Sequence, residues 1–143
     1  MEDTKIAILI KKLSLEFDKI AIPELAPYEL TPAQYKVIKY VLRHQNAPVR
    51  QRDIEIFYSM RNPTVTGILK NLEKNQWIKR VKNDRDARSK VIKLTEKTLK
   101  QEDELNHLGE KLEQRFIRGL DQSEQGELKK LLNKLFSSLT EGE

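Results

Sequence analysis

Apolar residues recur along most of the chain at helical spacing, with one interval where they alternate instead. From Thr4 to Ala21, the positions Ile6, Leu9, Ile10, Leu13, Phe17 and Ile20 form one stripe between charged residues. This predicts an amphipathic helix ending before Pro23, which with Pro27 makes a short irregular connection. Thr31 followed by Pro32 has the form of an N-cap and first helical position, and Tyr35, Ile38, Val41 and Leu42 give the buried side of a second helix, ended by Asn46, Ala47 and Pro48. A short helix is expected around Arg50 to Phe57, burying Ile54, with Phe57 a further candidate.

The next stretch, Ser59 to Thr95, changes period within itself. Asn62 is a suitable N-cap and Pro63 a suitable first residue. Val65, Ile68, Leu69 and Leu72 then fall at i, i+3, i+4 and i+7, which sets one stripe against a core. The opposite face carries Pro63, Gly67, Lys70 and Lys74, flanked by Thr64, Thr66 and Asn71, and no carboxylate. Gly67 costs a helix interior about 1 kcal/mol relative to alanine, a cost that makes sense where another surface comes close. After Gln76 two short β-prone runs, Trp77, Ile78, Val81 and Val91, Ile92, Leu94, flank a polar segment from Lys82 to Lys90 with Arg85 and Arg88 within it. Two helices joined by a turn and followed by a hairpin match a winged helix-turn-helix.

The C-terminal third is helical again. Leu105, Leu108, Leu112, Phe116, Ile117 and Leu120 make a stripe from about Glu96 to Gly119, and Asp121 and Ser123 offer caps. Leu128, Leu131, Leu132, Leu135, Phe136 and Leu139 follow at clean helical spacing. Their final turns exceed what a winged-helix core can cover. Together with the N-terminal stripe of Ile6, Leu9 and Leu13, they suggest a symmetric dimer interface. The competing expectation is a cap folded back on its own core. The resulting plan is a mainly α chain with N-terminal dimerisation helix and linker over 1–30, winged helix-turn-helix over 31–95 and C-terminal dimerisation helices over 96–143.

Charge sharpens this picture. Between Arg61 and Thr95 there are ten Lys/Arg against three Asp/Glu, a local net of +7 in a chain whose net charge is +5. A concentrated basic face beside a helix that fits a groove is the electrostatic footprint of a partner with a phosphate backbone. The absence of Cys removes disulfides and thiolate metal sites, and neither GxxxxGK[ST] nor GxGxxG occurs, which argues against a nucleotide-using enzyme. No nucleophile, base and orienting group come together, so no catalytic residue is expected. His44 and His107 have no partner at ligand spacing, so neither metal nor cofactor is expected. Asp103, Glu104, Glu110 and Glu113 form an acidic solvated face, and Trp77, Tyr35 and Tyr40 are core aromatics more readily than pocket walls. With no signal-like segment and no apolar run near 18 residues, a soluble, cytoplasmic chain without membrane contact is expected.

From Leu30 to Lys97 the succession LTPAQ, NPTVTGILKNLE, WIKRV and DARSKVIKLTEK resembles the MarR family of winged-helix transcriptional regulators. Its most specific part is Asp86-Ala87-Arg88 leading into Val91, Ile92, Leu94 and Thr95. The resemblance implies a homodimer that binds duplex DNA at a pseudo-palindromic operator, usually as a repressor, and in many relatives lets go when a small phenolic or lipophilic effector enters between the two domains. It also implies that Arg88 reaches the minor groove, that Asp86 orients the wing, and that Thr64 and Thr66 meet bases and phosphates. Gln76 stands where the family commonly has glycine, and Arg85 stands in for an arginine that Ala87 replaces. The DNA-facing set is then Asn62, Thr64, Thr66, Gly67, Lys70, Asn71, Lys74, Arg85, Asp86, Arg88 and Lys90, and the dimer-forming set Ile6, Leu9, Leu13, Phe116, Leu128, Leu131, Leu132, Leu135, Phe136 and Leu139. Two alternatives stay open from sequence: an architectural protein that binds DNA without sequence preference, and a winged-helix module that docks on an acidic protein.

Overall fold

The computed structural model describes residues 3–83 and 86–141. Among them, seven α-helices and one two-stranded antiparallel hairpin follow in the order α1 (Ile6–Leu25), α2 (Pro32–Arg43), α3 (Gln51–Tyr58), α4 (Asn62–Lys74), β1 (Ile78–Asn83), β2 (Asp86–Leu94), α5 (Glu96–Leu99), α6 (Glu102–Ile117) and α7 (Gln122–Thr140). A mainly helical winged helix-turn-helix is therefore what the chain forms.

The core collects one stripe from each central element: Val37, Ile38 and Val41 of α2, Ile54 of α3, Val65, Leu69 and Leu72 of α4, Trp77, Ile78, Ile92 and Leu94 of the hairpin, and Leu105, Leu108 and Leu112 of α6. α2 begins with a capping box in which the Thr31 hydroxyl accepts from the Gln34 backbone N–H and the Gln34 side chain accepts from the Thr31 N–H. Asp121 and Glu124 repeat the device at α7.

Several boundaries differ from the sequence expectation. α1 runs through Pro23 to Leu25. Ala21 and Leu25, one turn apart, are buried across the proline, while Pro23 itself is exposed, so water can serve the carbonyl its missing N–H leaves unbonded. Phe57, a candidate for burial, is 54% exposed. The helix foreseen from Glu96 to Gly119 breaks at Lys100 and Gln101. Thr98 is buried and its hydroxyl donates to the Trp77 carbonyl at 2.7 Å, tying α5 to the hairpin, whereas α6 turns away to pack along α1 and α2.

The hairpin is longer than its apolar runs. β1 extends to Asn83 and β2 begins at Asp86, with Ile78 opposite Leu94 and an irregularity between Lys82 and Asn83. Residues 82, 83 and 86–90, expected within a polar loop, thus belong to the strands. The Ile92 N–H donates to the Val49 carbonyl at 2.7 Å and pins the wing to the segment between α2 and α3.

The terminal helices behave differently from the centre. α7 buries no residue, and Leu128, Leu131, Leu132, Leu135, Phe136 and Leu139 remain 39% to 69% exposed. Ile6, Leu9 and Leu13 of α1 are also exposed, while its C-terminal half packs on α6, where Phe17 and Phe116 meet edge to face at 5.2 Å. Phe116 is half-buried. The fold-back cap is therefore not what α7 makes.

Candidate nucleic-acid interface

α4 is held from behind by Val65, Leu69 and Leu72, which fixes its outward face. Thr64, Gly67, Lys70, Asn71 and Lys74 are exposed there together, as is Pro63. A Cβ built on Gly67 meets nothing within 4 Å, so no neighbour among the described residues requires a glycine. The short surface around it favours close approach from outside.

Two members of the expected set are engaged within the protein. The helix begins one residue earlier than expected, with Arg61 in the N-cap position and Pro63 second in the helix. Asn62 does not cap it. Its amide Nδ2 donates instead to the Glu55 carboxylate of α3 at 2.9 Å. Thr66 is half-buried, and its hydroxyl accepts from the Gln51 amide at 2.8 Å.

Glu55 escaped the sequence pattern. It is only 6% exposed and takes hydrogen bonds from Asn62, from Gln51 at 3.1 Å and from Arg52 at 3.4 Å. The bond from Asn62 is the leading cause that holds its carboxyl below the usual glutamate value; burial opposes this, and Gln51 and Arg52 reinforce it. The available signal was Gln51 and Glu55 at i, i+4 on a helix that leads directly into the next. That pattern is common on solvated helices, so burial could not be read from it.

α4 ends in a Schellman closure. The Trp77 N–H donates to the Leu72 carbonyl at 2.9 Å and the Gln76 N–H to the Glu73 carbonyl at 3.1 Å, with Gln76 left-handed at φ 63°. Glutamine thus occupies the conformation that glycine adopts most easily. The Lys97 ammonium lies 4.6 Å from the centre of the Trp77 ring, and Trp77 is buried.

On the wing, the register opposes Lys79 to Lys93 and Lys82 to Lys90, all four exposed. Like charges facing each other across a hairpin disfavour it by up to about 1 kcal/mol per pair. A phosphate backbone offsets that repulsion when it lies alongside. The expectation for Arg85 falls outside the described residues. The side-chain roles of Asp86 and Arg88 fall outside them too, although β2 starts at Asp86.

Tyr35 is buried and its hydroxyl donates to the Leu105 carbonyl. His44 stacks on Tyr40 at 4.0 Å. Among the described residues no group of three or more potential metal ligands converges, and no helix is long and apolar enough to cross a membrane.

A sequence model described as MarR family matches residues 30–90. An uncharacterised HTH-type transcriptional regulator of Bacillus subtilis (strain 168), YwoH, is 35% identical over 88 residues, which is 62% of this chain and 62% of that protein's length. The chain thus spans less than two thirds of that relative. The transcription regulator MarR from Oenococcus oeni PSU-1 is 30% identical, with 92% of this chain and 96% of that one covered at a TM-score of 0.70. The S. aureus MepR–DNA complex superimposes at a TM-score of 0.86, with 28% identity over 95% of this chain and 99% of that one. The chain belongs to the MarR family of winged-helix transcriptional regulators.

Proposed function

We propose that this chain is a repressor that binds a pseudo-palindromic operator in duplex DNA as a homodimer. The exposed, carboxylate-free face of α4 carries the proposal: Thr64, Gly67, Lys70, Asn71 and Lys74 stand together on a helix of 13 residues. Such a helix is about 20 Å long and fits a major groove. Lys82 and Lys90 on the wing, with Arg85 and Arg88, supply phosphate and minor-groove contacts. The solved structure of a similar protein, MepR, contains DNA, which supports the same use of this surface.

Residues 31–95 form the DNA-binding unit, and residues 1–30 and 96–143 the dimer. Removing a leucine side chain from water contributes roughly 1.5–3 kcal/mol, and α7 alone leaves five leucines and Phe136 exposed. A second copy, related by a two-fold axis, covers α1 and α7 and sets two recognition helices about one DNA turn apart. The protein acts in the cytoplasm. The effector that releases it is a small phenolic or lipophilic molecule, and a cleft of about 260 Å³ lined by Lys39, Tyr40, Arg43, His44, Phe57 and Tyr58 has aromatic walls and cations suited to one.

Equilibrium titration of labelled duplexes across a salt series tests the proposal. Affinity that falls steeply and linearly on a log–log plot is expected. Absence of binding even at low salt contradicts it and favours an acidic protein partner.

A further inference from the structure

We propose that Glu55 is a positioning residue that sets the base preference of the recognition helix by holding Asn62 and, through Gln51, Thr66. The inference rests on the DNA-binding function proposed above. Gln51 and Glu55 lie one turn apart on α3, and Asn62 and Thr66 lie one turn apart on α4. The two pairs form rungs between the helices, Glu55 to Asn62 at 2.9 Å and Gln51 to Thr66 at 2.8 Å, while Gln51 also donates to Glu55 at 3.1 Å. The Glu55 main chain takes part as well, since its carbonyl accepts from the Met60 N–H at 2.9 Å in the turn between the helices.

The chemistry of the carboxylate makes this more than packing. An ionised carboxylate only accepts hydrogen bonds, so it must face the Nδ2 side of the Asn62 amide, and the orientation of that amide is fixed. The Asn62 Oδ1 is thereby turned away from Glu55, while Asn62 as a residue is exposed on the first turn of α4. The Thr66 oxygen, accepting from Gln51, keeps its proton to donate. An outward carbonyl oxygen suits a base that offers an exocyclic amine in the major groove, adenine or cytosine. An alanine at position 55 frees the amide to turn either way. Glutamine there offers Asn62 either an oxygen or an amine, so the orientation is no longer forced.

The test is selection from random duplexes by the full-length wild type, Glu55→Ala, Glu55→Gln and Asn62→Ala, followed by titration of the wild-type consensus and a scrambled duplex. Thermal melting monitors folding. In the expected result, both Glu55 variants relax the preference at one position per half-site, the position that Asn62→Ala also relaxes. Affinity for the consensus falls by about tenfold or more. Affinity for the scrambled duplex and the salt slope stay within about twofold of wild type, because phosphate contacts are untouched. Glu55→Gln keeps the side-chain volume and carries the test if Glu55→Ala does not fold. Unchanged preference at every position overturns the inference and leaves DNA binding standing. An equal loss on both duplexes overturns it too, since Glu55 then serves the fold alone. A wild type that retains no duplex overturns both.

Discussion

The Thr95 hydroxyl donates to the Gln76 carbonyl at 2.7 Å, joining the end of the second strand to the turn that leaves α4. The Thr95 N–H donates to the Trp77 carbonyl at 3.2 Å beside it. This double link holds Gln76 left-handed, so the wing is aimed relative to α4 by two neighbouring carbonyls.

A left-handed residue with a side chain is disfavoured by roughly 1–2 kcal/mol, and glycine is not, although glycine loses more chain entropy on folding. Gln76→Gly is therefore expected to raise stability by about 0.5–1 kcal/mol in denaturant unfolding and to leave DNA affinity unchanged. A lower midpoint in denaturant would mean that the glutamine side chain contributes something beyond its conformation.

Lys70 is exposed at the centre of the proposed DNA-facing surface. Lys70→Ala is expected to weaken binding about equally for all sequences and to reduce the magnitude of the salt slope by about 1. Arg88→Ala is expected to cost about 1–3 kcal/mol at the operator without loss of fold or dimer. A mutant titration that superimposes on wild type removes the residue concerned from the interface.

Leu132 and Leu135 are 44% and 43% exposed on α7. Placing glutamate at both is harmless to a protomer that leaves them in water, and disrupts a dimer that buries them. Sedimentation is expected to show a folded monomer, and truncation after Gly119 a monomeric or unfolded species. A truncated chain that still sediments as a dimer moves the interface elsewhere.

Because hydrogen bonds from Asn62, Gln51 and Arg52 hold the Glu55 carboxyl below its ordinary value of 4.5, the unfolded chain binds more protons at this site between the two values. Its contribution to stability is therefore complete above about pH 4.5 and is lost as pH falls through the lowered folded value. Unfolding free energies of wild type and Glu55→Gln measured down this range should converge as acid is added. A gap that stays constant contradicts the assignment.

The architecture was legible because stripes such as Val65, Leu69 and Leu72 obey one period, and burial follows the period directly. The stripe of α7 and the Ile6, Leu9 and Leu13 end of the α1 stripe, which stay exposed in the protomer, were legible for the same reason. What the pattern missed depends on contacts distant in sequence. Pro23 reads as a stop, yet Leu25 lies beyond it at a buried position. Thr98 reads as an ordinary helical residue, yet it is buried with its hydroxyl on the Trp77 carbonyl, just before the helix breaks at Lys100. Asn62 has the composition of a cap, and a carboxylate on the preceding helix, Glu55, takes its amide instead. Residue type told where polar groups gather on α4, while which partner each one holds emerged only from the packing of α3 against it.

The most direct test of DNA recognition by a two-fold dimer is the sequence retained when wild-type protein selects from random duplexes at about 0.15 M salt. An inverted repeat with half-sites about 10 bp apart, centre to centre, is predicted. Duplexes retained with no consensus would contradict sequence-specific recognition and leave an architectural DNA-binding protein in its place.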